Sequence, residues 1–323
     1  MLNRRHLRIK ILQALYAFFQ AEDHDLPKAE KALHKSVQDI YTLFLYQVHL
    51  LIEVHFEALK EREEARKKFR PSEQDLREST PFTANSIIEA IRLSEGYQKV
   101  LTQYKVSWNH DRELVRKYWK KLRATDTYQS YVTQESASKA EDLQFVLFFY
   151  ETFVFEDEFL EGVYEEMNIH WIDDLYVVNP AVEKFMRDLG SGKSFKLPKL
   201  FKDTEEDQQF MIDLFRKTIL HADEFQEKIQ SKAQNWEAER IAVMDLILMK
   251  MALTELVDFP GIPVKVSLNE YIEISKSFST PKSNAFINGI LDKLALSFRA
   301  EGRIQKTGRG LMDNKTSQIN PTE

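Results

Sequence analysis

The stretch IPVKVSLNEYIEISKSFSTPKSNAFINGILDKL, residues 262–294, decides the fold of this chain. Val264, Leu268, Tyr271, Ser275 and Phe278 recur every three or four residues and line one face of a helix. Pro263 follows the turn FPG and sits where a first helical residue is expected. Thr280 with Pro281 reads as an N-cap followed by proline at the first position, so a second helix, SNAFINGILDKLAL, comes next. Two helices across a short break, with no alternating pattern, point to an all-α architecture.

Working outward, IAVMDLILMKMALTELV belongs to a helix expected from about Trp236 to Val257. It is apolar almost all round, which marks it as central and buried, with Asp245 and Lys250 interrupting the apolar surface. Thr204 and Asp207 open an earlier helix through Phe210, Leu214 and Ile219. At the other end of the chain a helix is expected from about Arg4 to Ala21, with Leu7, Ile11, Leu15 and Phe18 as its buried stripe. A long amphipathic pattern then runs from Pro27 to Phe69 through Leu33, Val37, Ile40, Phe44, Val48 and Leu51. Pro71 and Pro81 break it, and helical patterns continue to about Tyr131. Ser138 with Glu141 forms a capping box that opens a helix rich in Phe and Tyr, expected to reach Met167. Its acidic end, Glu156 to Glu166, reads as a solvated face. Beyond Phe298 the chain turns polar and basic, and a disordered tail is expected.

The bulk composition supports this reading. With 323 residues there is length for one large or two ordinary domains. Only nine glycines and nine prolines occur, too few for a many-stranded β protein. The net charge of −6 gives the molecule as a whole no attraction to nucleic acid, so any such binding has to be local. The absence of cysteine removes disulfides, thiolate metal sites and cysteine nucleophiles together. The start MLNRRHLRIKILQALYAFF mimics a signal peptide, but Lys10 and Gln13 interrupt its apolar run. The longest apolar stretch, Val146 to Phe155, contains Glu151 and is far short of the ~20 residues needed to cross a bilayer. A cytoplasmic protein with no membrane partner is expected.

LGSGKSF, residues 189–195, looks like the end of a phosphate-binding loop. That loop needs a strand before it and a helix after it, with glycine five positions ahead of Gly192. Here the position is Arg187, a helix opened by Asn179 and Pro180 comes before, and FKLPK follows. The segment reads as a helix stop, with Gly190 as the left-handed cap, leading into a linker. No histidine pair has the spacing of a helical metal site, no nucleophile elbow occurs, and no enzyme or cofactor is expected.

Two segments far apart carry a recognisable pattern. RRHLRIKILQALYAF at the start and the 262–294 stretch together resemble the NusB family of transcription antitermination factors, whose members run R-R-x-x-R…QALY, a long helix ending in an E-L pair, P-x-K-V-x-x-N-E-x-x-E-x-x-K-S-F and F-V-N-G-x-L-D-K. Ile287 stands where the family has valine. The resemblance covers 1–26 and 203–298, leaving 27–202 as a helical insertion after the first helix and 299–323 as the tail. It implies an all-helical core of two small bundles, no catalysis, and binding of the boxA element of single-stranded RNA. It also implies partnership with a small-subunit ribosomal protein, NusE, within the transcription elongation complex during rRNA synthesis.

The residues agree on their own terms. Arg4, Arg5, His6, Arg8 and Lys10 form a basic patch with no acidic residue before Glu22, and Tyr16 on the same flank suits stacking on an unpaired base. The resemblance adds Lys282 and Phe286 on the RNA side, although the spacing of Phe286 with Ile290 and Leu294 is equally that of a core residue. Asp245 matches an acidic position used toward the ribosomal protein, or else pairs within the chain. Asn269 and Glu270 are expected to secure the turn and helix start. His6 replaces an arginine, which suggests weaker or pH-sensitive binding. An alternative reading makes the protein a helical adaptor acting mainly through the insertion.

Overall fold

The computed structural model describes residues 1–70, 72, 80–233 and 241–315. Among these residues there are α-helices and short 3₁₀ turns and no strand, so the chain is all-α. It divides into two compact units, one formed by Met1 with Ser36–Leu200 and the other by Leu2–Lys35 with the chain from Phe201 on.

The first unit is organised along α2 (Leu26–Arg66), whose first ten residues belong to the second unit. Ile40, Phe44, Val48 and Leu51 are buried along it, as the spacing required. Around it come α3 (Ser86–Arg92), α4 (Glu95–Tyr104), α5 (Arg112–Arg123), α6 (Asp126–Thr133), α7 (Lys139–Phe153), α8 (Glu158–Met167) and α9 (Leu175–Gly190). Asp142, buried with this aromatic-rich core, is fully matched: it accepts from the Ser86 amide at 2.8 Å, the Ser86 hydroxyl at 2.6 Å and the Tyr131 hydroxyl at 2.5 Å. Glu53, Glu57 and Glu61, one turn apart on α2, pair with Arg112 and Arg123 of α5.

Several expectations shift here. The capping box of Ser138 and Glu141 is present, but the helix it opens ends at Phe153. The Asp157 carboxylate accepts from the Leu160 amide at 3.0 Å and starts a separate helix, α8. Pro180 lies inside α9 instead of opening it. The carbonyl it leaves without a helical donor is that of Tyr176, an exposed residue, and water can serve it. LGSGKSF is a helix stop, as expected, but the left-handed residue is Gly192, at φ 82°, and not Gly190. The Lys193 amide reaches the Asp188 carbonyl at 3.3 Å and the Gly192 amide that of Leu189 at 3.2 Å, the double closure of a Schellman motif. Gly190 is helical, and a Cβ there would lie 2.5 Å from Leu143 Cδ2.

The second unit holds α1 (Arg4–Gln20), α10 (Thr204–Leu220), α11 (Ala222–Lys232), α12 (Val243–Asp258), α13 (Val264–Phe278) and α14 (Pro281–Ala300). The central helix is α12, which packs on all five of the others. That is why it is apolar all round: every residue from Ile247 to Leu256 is buried. Its expected start near Trp236 lies outside the described residues. Asp203, not Thr204, caps α10, accepting from the Glu206 amide at 3.1 Å, while Asp207 turns back to the amides of Lys202 and Asp203. The helix α11 has no counterpart in the sequence reading. Pro263 is the N-cap of α13 and Thr280 caps α14 through the Ser283 amide, with Pro281 at its first position.

The expectation of a disordered tail from 299 does not hold for 299–315. Arg303 pairs with Glu224 and lies 4.4 Å from the centre of the Phe298 ring. Lys306 Nζ donates to the Phe259 carbonyl at 2.9 Å, and 308–315 form a 3₁₀ turn packed on α13. Polarity suggested disorder, but these cations have carbonyl and carboxylate partners at the helix ends they reach. Residues 316–323 lie outside the described part. Among the described residues no helix is long and apolar enough to cross a membrane, and no group of side chains could hold a metal ion.

Candidate nucleic-acid interface

The capping of α1 sets its register. Asn3 Oδ1 accepts from the amides of Arg5 and His6 at 2.9 and 3.1 Å, and His6 Nδ1 accepts in return from the Asn3 amide at 3.3 Å. Burial, followed by neighbouring positive charge including Arg5, pushes the His6 pKa down to about 4. At neutral pH His6 is therefore an uncharged capping group. The pH sensitivity expected of it moves into the acid range.

Arg8 points inward and is 2% exposed. Its Nε and Nη2 donate to the two carboxylate oxygens of Glu255, near the end of α12, at 2.8 and 2.7 Å. Glu255 also accepts from Ser267 Oγ at 2.7 Å and from the Tyr271 hydroxyl at 3.0 Å, both on α13. Phe210 and Tyr271 enclose the guanidinium. Burial alone lowers an arginine's pKa, but the charge and hydrogen bonds of Glu255 outweigh it and raise that of Arg8. This is a closed, fully matched ion pair that joins three helices, with no free surface for a phosphate.

Arg5 lies at the rim, its side chain 45% exposed. Its Nε and Nη2 donate to Glu270 at 2.9 and 2.7 Å, and Glu270 also lies 3.5 Å from Arg8 Nη1. The hydrogen bonds from Arg5 hold the Glu270 carboxyl below the usual carboxylate range, and the same bonds raise Arg5. Arg4 pairs with Glu206, approaches Asp207 at 3.7 Å and lies 4.6 Å from the Phe210 ring centre. The patch that is free of acids in sequence is thus met by four carboxylates from α10, α12 and α13.

Elsewhere the residues divide. Lys10 is buried. Tyr16 is 42% exposed, eleven residues beyond Arg5, which puts it within about 20° of the same face and about 16 Å along the axis. Lys282 is exposed in the first turn of α14. Phe286, at 9% exposure, is buried, in keeping with its core-like spacing with Ile290 and Leu294. Asp245 is 3% exposed and accepts from Ser279 Oγ, so its carboxylate has a partner inside the chain.

Glu255, the buried partner of Arg8, is the residue of this candidate site that the sequence did not single out. The signal was there: a third charged position in an apolar helix, and a carboxylate so placed needs a cation. Glu270 likewise turns out to grip Arg5 from mid-helix and not to secure a helix start.

The NusB family model matches residues 175–296, a range that takes in α9 and the linker ahead of 203. The transcription antitermination protein NusB of Salinibacter ruber is 46% identical over 111 residues, covering 34% of this chain and 69% of that protein. Its namesake in Chloroherpeton thalassium is 39% identical over 106 residues, 33% of this chain and 50% of that protein. That of Koribacter versatilis is 37% identical over 122 residues, 36% of this chain and 84% of that protein. No solved structure matches the chain. With relatives 46% and 37% identical over 69% and 84% of their own length, the chain belongs to the NusB family.

Proposed function

We propose that the protein is a non-catalytic transcription antitermination factor that binds boxA-type single-stranded RNA together with the ribosomal protein NusE and supports rRNA transcription. The observation that carries this reading is the division along α1. Arg8 anchors the helix in the core, while Arg5 and Tyr16 come to the surface on one side of it. A guanidinium for phosphate and a ring for an unpaired base are the two elements that hold single-stranded RNA. Lys282 on α14 adds a second exposed cation. In the same reading, 1–26 and 203–298 are the family core and 27–202 an insertion, which the compact unit of Leu2–Lys35 with the chain from Phe201 on supports.

The test is fluorescence anisotropy of a labelled boxA-type RNA against a scrambled strand, with and without NusE, across a salt series. Preferential binding strengthened by NusE is expected. Tyr16→Ala should weaken it by about 1–3 kcal/mol, the range for one stacked base. Equal binding of both strands in every condition would remove the reading.

A second reading, an adaptor acting through residues 27–202, has its own support. Residues 140–183 carry many carboxylates and no Lys or Arg, and Phe159, Ile169 and Tyr176 are exposed among them. The variant E158K/E165K/E166K, with RNA binding intact, should lose a partner from the purified transcription complex if this surface is used. An unchanged set of partners rules it out.

A further inference from the structure

We propose that Glu270 is an internal competitor for Arg5, so that RNA enters this surface by exchanging one phosphate for one carboxylate on the Arg5 guanidinium. The inference rests on the RNA-binding reading above and names how that surface is regulated.

Glu270 occupies the Nε–Nη2 edge of Arg5 with both oxygens, at 2.9 and 2.7 Å. A phosphate seeks that same bidentate edge, because two parallel N–H donors match two of its oxygens. The pair sits at the rim, with Arg5 45% and Glu270 20% exposed, where water screens the attraction and exchange costs little. The neighbouring pair is of the opposite kind. Arg8 and Glu255 have side chains 3% and 0% exposed, and Ser267 and Tyr271 fill the remaining acceptor sites of Glu255. Arg8 keeps that partner if the charge of Glu270 is removed. One carboxylate therefore holds the fold and the other guards the surface.

The exchange also leaves a mark on salt dependence. When a phosphate takes Arg5, the freed Glu270 regains a counterion, which offsets the cation released from the RNA. The slope of log K against log salt should then be shallower, by about 0.7 for a single strand, than for a chain whose Arg5 is unoccupied.

The experiment measures boxA-type and scrambled RNA binding by anisotropy across a salt series for the full chain and for E270Q, R5A, R5A/E270Q and E273Q. Glu273 is a fitting control, because it lies on the same helix and pairs with Lys276. E270Q is expected to bind both strands about fivefold more tightly at low salt, the ceiling for an exposed ion pair, with a steeper slope. That gain should vanish in R5A/E270Q and be smaller in E273Q. Unchanged or weaker binding by E270Q overturns the proposal, as does a gain that persists without Arg5. If E270Q does not fold, judged by its thermal melt, Glu270→Ala takes its place with the same expectations. Loss of boxA preference with the gain intact removes the antitermination reading and leaves the exchange standing. No RNA bound by any variant overturns both.

Discussion

His6 shows how one residue's surroundings redirect its chemistry. Its pKa falls from 6.5 to about 4, chiefly through burial, so the unfolded chain takes up a proton before the folded one does as pH drops. The stability tied to neutral His6 is present above about 6.5 and is lost as pH falls from there toward 4. Urea midpoints measured across this window should fall for the native chain and fall less for His6→Gln, which keeps a capping acceptor but does not titrate. Equal slopes would mean that His6 is not the responsible group. Arg8 illustrates the same point for a charge: alone at its depth it would be untenable, and Glu255 makes it a joint between helices.

At the scale of elements, the ends of helices carry most of the information. Asn3, Asn85, Ser138, Asp157, Asp203 and Thr280 each place a side-chain oxygen on an orphan amide, and each coincides with a helix start. The stop at Gly192 depends on φ 82°, where a Cβ is strained although nothing crowds it. Gly192→Ala should cost about 1 kcal/mol, read as a shift in the urea midpoint of the unit that contains Ser36–Leu200. No shift would mean that the chain leaves α9 by another turn at no cost. Gly310 is a sharper case, since a Cβ there would lie 2.1 Å from the Pro260 carbonyl oxygen. Its side-chain-free approach is what lets 308–315 dock.

For the whole molecule, two compact units each with its own buried core predict two calorimetric transitions. Arg8→Ala leaves Glu255 buried without its cation, at a cost of about 3–5 kcal/mol. It should lower the transition of the unit holding α1 and α10–α14 by several degrees and leave the other in place. A single transition, or two that move together, would contradict independent units. RNA binding is expected to raise the same transition that Arg8→Ala lowers, because a ligand stabilises the unit it binds.

The all-helical class, the burial of α12 and the family pattern were legible in the sequence, because helical periodicity, caps and turn residues act over three or four neighbours. The buried stripes of α1 and α2 are the ones their spacing predicts, and LGSGKSF stops a helix as read, although the left-handed residue is Gly192 and not the expected Gly190. What the basic patch became was a different matter. Glu206, Glu255 and Glu270 lie about two hundred residues or more from the arginines they meet, and no local rule reports such a pairing. Only the packing of α1 against α10, α12 and α13 decided which arginine became part of the core and which was left at the surface. Charge is a property of the residue, but its availability is set by what tertiary structure brings within hydrogen-bonding distance.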